Sequence, residues 1–286
     1  MELFIVDAFT SQIFKGNQAG VVLLGDEESF PMVGTMQNIA AELKHSETAF
    51  VKYESDNVFK LKYYTPNDEI ELCGHATISA FTVLRNEKII SNGNYVAKTL
   101  AGELNVIVET ECIWLETAQS NLIKTFSDEA SVELYNAFKL DISDRPKSLI
   151  PCIISTGVSD ILLPVNEKEK LEKALPDRNR IVEISRKNHV AGIHMFYCSS
   201  ELEVTAYCRN FAPLYGIDEE SATGTSTGSL TYYLTKLGFV NIGSENIFIQ
   251  GEALGRPAII KSKMKNEKII YIGGNAIVSI KGKIAL

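Results

Sequence analysis

The N-terminal part of the chain shows two different hydrophobic patterns. The apolar runs LFIVDAF and AGVVLLG flank the polar stretch SQIFKGNQ, which is typical of two strands joined by a turn at Gly16 and Asn17. A helix is predicted next, because apolar residues recur at helical spacing at Val33, Met36, Ala40 and Leu43. Ser29 is expected to cap this helix, and Pro31 to lie in its first turn.

Strand and helix patterns then continue to the C-terminus. TAFVKY, VFKLKYY, ELNVIVE and CIWLET read as strands, and TISAFTVLRNEK reads as a helix. A looser stretch at 118–125 leads to a helix that Ser127 is expected to cap, with acidic residues in its first turn. CIISTGVSDILLPV, GIHMFYCSS, EVTAYCRNF, NIFIQGE, PAIIKSK and IIYIGGNAIVSIKG read as further strand-like segments. Between them, NEKEKLEKAL and the range 176–187 read as helical.

The two halves of the chain share a short repeat. GHATIS, which begins at Gly74, matches GTSTGS, which begins at Gly224, and Leu84 matches Leu234 at the same offset. Upstream, YTP corresponds to FAP, so each half reads as strand, aromatic-x-Pro, acidic loop, glycine and helix. The shared order favours an internal duplication over chance.

The composition restricts the classes of protein. The chain has 286 residues, which predicts about two domains, and its net charge of -8 argues against nucleic acid as a partner. Neither a secretory signal nor a membrane-spanning segment is indicated. The five cysteines are odd in number and widely spread, which favours reduced thiols and a cytoplasmic location. No metal is predicted, because Cys73 and His75 would need two further ligands that nothing near them in the sequence supplies.

The repeated glycines indicate a binding chemistry. A glycine at the start of a helix lets a ligand approach backbone N–H groups that have no partner inside the helix, and the helix dipole favours an anion there. Two related helix starts are expected to face each other across one cleft and to bind a small carboxylate. The predicted substrate-binding residues are Asn17, Gly74, Ala76, Thr77, Gly224, Thr225 and Ser226. The Ser and Thr residues could equally be helix caps.

Several side chains could move a proton. Glu47 lies in HSETAF, at a predicted helix-to-strand junction where a glutamate is usually exposed. His75 would lie at a helix N-terminus, where the dipole should lower its pKa and keep the imidazole neutral. Most of the acids before the two glycines should be solvated, although one of them could turn inward as an acid or base. These acids are Glu69, Glu71, Glu219 and Glu220.

The chain resembles the phenazine-biosynthesis F-type (PhzF-like) isomerases, which have the diaminopimelate-epimerase fold. The matching pieces are VDAFT with KGN, SETAFV, YTPNDEIELCGHAT, FAPLYGIDEESATGTSTG and IGGNAIVSIKG, and they run in the family's order along nearly the whole chain. The resemblance implies an α+β protein of two pseudo-symmetric domains. Each domain would be a curved mixed sheet wrapped around a central helix that begins at Gly74 or Gly224. The expected boundaries are 1–117 and 118–286, and the last strand could return to the first domain.

The resemblance also implies functional residues. Glu47 falls on the family's proton-shuttling acid/base, His75 on its histidine after the first glycine, and Glu220 on the acid of its second motif. No cofactor is implied. Glu220 and Ser221 stand where the family usually has aspartate and proline, Thr225 stands where it has serine, and Gln18 replaces a proline. These departures leave open whether this chain shares the phenazine-pathway substrate.

Three functions are therefore weighed. The leading one is a cofactor-independent isomerase with a biosynthetic role, in which Glu47, its pKa raised by burial between domains, moves a proton on a small carboxylate. The second is a two-thiol racemase or epimerase, but Cys73 has only Thr223 and Thr225 at the equivalent place in the second half. The third is a non-catalytic carboxylate-binding protein on the same fold. A homodimer is possible in each case.

Overall fold

The computed structural model of the protein describes residues 1–25 and 27–285. The first elements in chain order are β1 (Glu2–Ala8), β2 (Asn17–Leu23), α1 (Val33–Leu43), β3 (Glu47–Ser55), β4 (Val58–Tyr64), β5 (Glu69–Ile70), α2 (Gly74–Asn86), β6 (Gly93–Thr99), β7 (Gly102–Val108) and β8 (Ile113–Glu116). They are followed by β9 (Asn121–Thr125), α3 (Asp128–Asn136), β10 (Cys152–Ser155), β11 (Ser159–Pro164), α4 (Lys168–Lys173), α5 (Arg178–Asn188), β12 (Gly192–Cys198) and β13 (Ala206–Ala212). The last are β14 (Ile217–Glu220), α6 (Gly224–Lys236), β15 (Glu245–Gln250), β16 (Ala258–Met264), β17 (Ile270–Gly274) and β18 (Ala276–Lys283).

The chain divides into two units. The first comprises Met1–Glu116 with Gly273–Leu286, and the second comprises Thr117–Ile272. The last strand, β18, pairs antiparallel with β1 from Ala8 opposite Ala276 to Glu2 opposite Lys283. The C-terminal strand therefore completes the sheet of the first unit, a question that the sequence left open.

The first unit is a mixed sheet around a buried helix. Its strands run in the order β18, β1, β2, β3, β4, β6, β7 and β8, with β2–β3 and β4–β6 parallel and the other neighbours antiparallel. A parallel pair needs a crossover, and α1 and α2 lie within these two crossovers. Every residue from His75 to Leu84 of α2 is buried. The helix is therefore enclosed around its circumference, as a central helix must be.

The second unit repeats this plan. Its strands run in the order β9, β10, β11, β12, β13, β15 and β16, again with only the third and fifth pairings parallel. The crossovers carry α4 with α5 in the first case and α6 in the second. α6 is also buried along most of its length. The predicted α+β class is confirmed.

The two central helices match residue by residue at their ends. Each has 13 residues, and each follows an extended residue at the N-cap position that makes no side-chain cap hydrogen bond, Cys73 in α2 and Thr223 in α6. Past the C-terminus, the N–H of Ile89 donates to the carbonyl of Leu84, and the N–H of Phe239 donates to that of Leu234. The constant offset extends beyond the helices themselves, so the repeat seen in the sequence is a repeat of structure.

Some local predictions were wrong. Met32, not Ser29, precedes the first residue of α1 and makes no side-chain cap, so Pro31 lies outside the helix. The stretch at 118–125 includes the strand β9, which the hydrophobic pattern missed because all of its residues are exposed. Ser127 does cap α3, because its side chain accepts a hydrogen bond from the N–H of Ala130.

Candidate active site

Parallel pairing of β2 and β3 brings two predicted site residues to one edge of the first sheet. Ala19 lies opposite Glu47, so Asn17 and Glu47 both lie at the beginnings of neighbouring strands. Gly16, just before β2, has a φ of +62°, and a Cβ at this position would lie 2.0 Å from the Ala8 carbonyl oxygen. A glycine is therefore required in the turn that delivers Asn17 to this edge.

His75, in the first turn of α2, is the centre of this group. Its side chain is only 6% exposed, and its Nε2 lies 3.2 Å from Oε2 of Glu47, which is 13% exposed. The Nε2 atom also lies 3.5 Å from Oγ of Ser46. On the other side of the ring, Nδ1 lies 3.4 Å from Sγ of Cys73 and 3.5 Å from Nδ2 of Asn17. Residues far apart in sequence thus converge on one imidazole.

The direction of the pKa shift of Glu47 was predicted wrongly from the sequence. Burial does raise the pKa of this carboxyl, but the interactions with His75, Ser46 and Cys73 outweigh burial and hold the pKa below its usual value. The sequence could not reveal that His75 comes so close to the carboxylate. Glu47 is therefore ionised at neutral pH and can act as a base without first losing a proton.

The direction of the pKa shift of His75 was also predicted wrongly. Burial lowers the pKa of this imidazole, but Cys73 and the Glu47 carboxylate raise it well above its usual value. The neighbouring Cys73 and Glu47, and not the start of the helix, therefore account for the direction of this shift. Burial and the nearby Glu47 raise the pKa of the Cys73 thiol, so Cys73 is protonated at neutral pH.

The start of α2 presents backbone donors. The N–H of Thr77 donates to the carbonyl of Cys73 and makes the first hydrogen bond inside the helix. The Thr77 hydroxyl also donates to that carbonyl, at 2.6 Å, and contacts the hydroxyl of Tyr63. Thr77 is fully buried, and its polar groups stabilise the helix start. Gly74 and His75 precede that first hydrogen bond, so their N–H groups point out of the helix as donors for an anion.

The start of α6 is stabilised by a network of hydrogen bonds within the second unit. Ser226 is fully buried, and its hydroxyl donates to Oδ2 of Asp160 at 2.6 Å and accepts from the Asn210 amide. The carbonyl of Thr225 accepts a hydrogen bond from the Thr156 hydroxyl. The Ser226 hydroxyl is thus engaged inside the unit. As in α2, the first residues of the helix, Gly224 and Thr225, offer outward N–H groups.

Glu220 is held by Thr223 and by Gln250, a residue that the sequence did not single out. The Thr223 hydroxyl donates to Oε2 of Glu220 at 2.5 Å. The Gln250 amide donates to the Glu220 carbonyl and to the Thr223 hydroxyl, and its oxygen accepts from the Thr223 N–H. The loop that lacks the family's proline at Ser221 is therefore held by the side chain of Gln250.

The neighbouring acid, Glu219, does not fit the expectation of a solvated loop residue. It forms a bidentate ion pair with Arg209, and each side chain is only 10% exposed. The same guanidinium donates to the carbonyls of Leu171 and Ala174 at the end of α4. Glu219 is thus a buried structural partner of Arg209, which leaves Glu220 as the candidate acid of this loop.

Buried polar residues on the strands below α6 were missed. Burial raises the pKa of Asp160 despite hydrogen bonds from Ser226 and Gly192, and it lowers the pKa of His194 to about 3. Nδ1 of His194 lies 3.2 Å from the Asn210 amide. A single titratable residue within an apolar strand, as in VSDILLPV or GIHMFY, was the available signal.

The structure gathers the predicted residues in two groups. In the first unit, Asn17, Glu47 and His75 come together at the start of α2 that includes Gly74 and Ala76. In the second unit, Glu220 lies beside the start of α6, which includes Gly224, Thr225 and Ser226. A base, an imidazole and outward N–H groups in the first group can bind a carboxylate and transfer a proton.

Comparison with known proteins agrees with this fold. Residues 6–282 match the family described as phenazine biosynthesis-like protein, and the chain belongs to this family. An uncharacterized isomerase of Clostridium acetobutylicum is 32% identical, and the match covers 99% of this chain and 98% of the relative.

Solved structures extend the comparison. A phenazine biosynthesis protein of the PhzF family from Bacillus anthracis is 25% identical, with a TM-score of 0.88 over 100% of this chain and 99% of that chain. A probable proline racemase from Agrobacterium radiobacter shares the fold, with a TM-score of 0.64 at 11% identity over 100% of this chain and 93% of that chain. The family and its curated relatives together support an isomerase. Among the described residues, none of the helices is both long enough and apolar enough to span a membrane.

Proposed function

We propose that this protein is a cofactor-independent isomerase in which Glu47 moves a proton on a small carboxylate substrate. The observation that carries the proposal is the placement of Glu47, mostly buried, 3.2 Å from an imidazole at the start of the central helix α2. Such a carboxylate is shielded from water, is ionised, and lies beside backbone donors that favour an anion.

The proposed reaction has two proton transfers. The Glu47 carboxylate takes a proton from a carbon of the substrate, and the electron pair of the broken C–H bond delocalises toward the substrate's carboxylate. The N–H groups of Gly74 and His75 stabilise the negative charge that develops. Protonated Glu47 then returns a proton to another carbon on the same face. The imidazole of His75 holds the carboxylate in place throughout.

The position of Glu220 bears on the substrate. Glu220 stands in place of the family's usual aspartate and is held by Thr223 and Gln250, so its carboxylate would take a different position from that of the shorter side chain. We propose a small amino-acid-like or cyclic carboxylate, a cytoplasmic location and a possible homodimer. That the starts of α2 and α6 face one cleft stays a prediction.

Two other functions remain as alternatives, a two-thiol racemase and a non-catalytic binding protein. Cys73 lies beside His75, as one thiol of a two-base racemase would require, but Thr223 occupies the equivalent position in α6. A carboxylate-binding protein without catalysis would use the same helix starts. A thermal-shift screen of small carboxylates against their amides, followed by solvent deuterium exchange on every hit, separates the three. Binding without exchange across several good ligands would contradict the isomerase.

Removing the imidazole should move the acid limb of the pH profile. Activity needs ionised Glu47, so it is lost as the pH falls through the pKa of this carboxyl. In His75→Gln the favourable interaction is lost while burial remains, so we expect the acid limb of kcat/KM to move to higher pH. The exposed histidine variant His189→Gln should leave the profile unchanged. An acid limb that stays in place in His75→Gln would mean that Glu47 is not the group that titrates.

A methyl group at the start of α2 should weaken ligand binding without destabilising the fold. A Cβ at Gly74 would meet only the Leu115 side chain, at 4.0 Å, so Gly74→Ala should keep the free energy of unfolding within about 1 kcal/mol. If a carboxylate binds against this backbone, its affinity should fall about tenfold or more. Titration of the screened carboxylates into Gly74→Ala and into Gly282→Ala, a control in open space, measures both effects. Equal affinities in both variants would rule out close approach at Gly74.

A further inference from the structure

The group around His75 also has the composition of a metal site. Cys73, His75 and Glu47 each offer one ligand atom, and these atoms all lie within 4.8 Å of one another. Thiolate, imidazole and carboxylate are the ligands that Zn²⁺ takes in proteins. The sequence showed only two of these ligands, because Glu47 reaches the site through the parallel pairing of β2 and β3.

The distances suit a single ion. Tetrahedral Zn²⁺ with ordinary bond lengths separates sulfur, nitrogen and oxygen ligands by about 3.3 to 3.6 Å. Nε2 of His75 lies 3.2 Å from Oε2 of Glu47 and 4.0 Å from Sγ of Cys73. Because all three ligand atoms lie within 4.8 Å of one another, rotation of the side chains could bring them into contact with one ion, with a fourth position left for water.

A second observation points to a ligand here. Oε2 of Glu47 is buried, and its contact with Nε2 of His75, at 3.2 Å, is an ion pair that meets no hydrogen-bond geometry. A cation bound between these two atoms would replace the imidazole proton as the partner of this buried oxygen. The N-terminus of α2 disfavours a cation, so the site depends on the two negative charges of the Cys73 thiolate and the Glu47 carboxylate.

The internal repeat supplies a natural control. At the positions equivalent to Cys73 and His75, α6 has Thr223 and Thr225, which are not metal ligands of this class. Across residues 1–25 and 27–285, no other three His, Cys, Asp or Glu side chains bring ligand atoms this close together. One ion per chain is therefore the expected stoichiometry.

We propose that Cys73, His75 and Glu47 form a binding site for a soft divalent cation such as Zn²⁺ or Cd²⁺. Binding releases the Cys73 thiol proton and the proton of the His75 imidazolium to solvent, and places the cation between Sγ of Cys73, Nε2 of His75 and the carboxylate oxygen of Glu47. Affinity therefore rises with pH, because the ion competes with protons for these ligands. Inhibition of isomerase activity by the ion is a further consequence, which rests on the proposed function.

The test uses the full chain, with Cd²⁺ as the probe and with no substrate present. The titration is monitored by calorimetry and by the ultraviolet charge-transfer absorption of a cadmium–thiolate bond. It should show one strongly bound ion per chain. Cys73→Ser should abolish the absorption, whereas Cys198→Ser, which removes a more accessible thiol, should not change it. An absorption that survives in Cys73→Ser, or one that disappears in Cys198→Ser, would overturn the site.

A second variant keeps the test decisive if Cys73→Ser folds poorly. Glu47→Gln retains the shape of the side chain but loses the charge, so it should keep the thiolate absorption and weaken binding about tenfold or more. Unchanged affinity in Glu47→Gln would exclude Glu47 as a ligand. Because no substrate is present, a failure of metal binding leaves the proposed isomerase untouched, and a failure of isomerase activity leaves the metal site untouched.

Discussion

Glu47→Gln is expected to lower kcat/KM for isomerisation by about a hundredfold or more, because loss of a positioned general base typically costs two to four orders of magnitude. Glutamine preserves the volume of the side chain and can still contact His75, so the variant should fold. The measurement is steady-state kinetics on any carboxylate that the binding screen identifies. The free energy of unfolding should be measured in parallel, so that loss of activity is not confused with loss of structure.

The same strand provides a matched control for this prediction. Glu54 lies near the exposed end of β3 and forms a surface ion pair with Lys98, at 2.9 Å. Glu54→Gln removes one carboxylate from the same element, and its kcat/KM should stay within about twofold of the wild type because surface ion pairs contribute little. Equal kinetics in Glu47→Gln and Glu54→Gln would remove Glu47 from the mechanism.

Gly16→Ala is expected to have the largest effect on stability. The new Cβ would lie 2.0 Å from the Ala8 carbonyl oxygen and 2.9 Å from Cγ2 of Thr10, at a residue whose φ is +62°. The left-handed backbone and the clash with main-chain atoms together should lower the free energy of unfolding by about 3 kcal/mol. The turn before Asn17 would have to move, so the arrangement around His75 should be disturbed as well.

Gly34→Ala is the control for that substitution. Gly34 lies within α1, and a Cβ there would have nothing within 4 Å. Alanine favours a helix over glycine, so the free energy of unfolding should stay the same or rise by about 0.5 kcal/mol. Chemical denaturation of both variants gives the comparison. Similar stability of Gly16→Ala and the wild type would show that the turn before β2 can relax.

The sequence predicted what depends on local pattern. The helix starts at Gly74 and Gly224 were located correctly, because a repeated glycine followed by apolar spacing is a local signal. The mixed α+β class was also predicted, through the resemblance to the family. The strand β9 was missed for the complementary reason: its exposed residues carry no hydrophobic pattern.

Long-range contacts could not be predicted from the sequence. The signs of the pKa shifts of Glu47 and His75 depend on a 3.2 Å approach between residues on different elements, which no spacing in the sequence encodes. The roles of Asp160 and Gln250 likewise arise only when their strands lie beside α6. The single charged residue in an apolar strand was a hint for Asp160, whereas Gln250 gave none.

The most direct measurement compares Glu47→Gln with Cys73→Ser in one exchange assay. Each variant and the wild type are incubated in D₂O with a bound carboxylate ligand, and deuterium incorporation at carbon is followed by NMR. If Glu47 moves the proton, the wild type and Cys73→Ser exchange at similar rates, while Glu47→Gln exchanges at least about a hundredfold more slowly. Full exchange by Glu47→Gln, with loss of exchange in Cys73→Ser, would contradict the account and assign the proton transfer to the thiol.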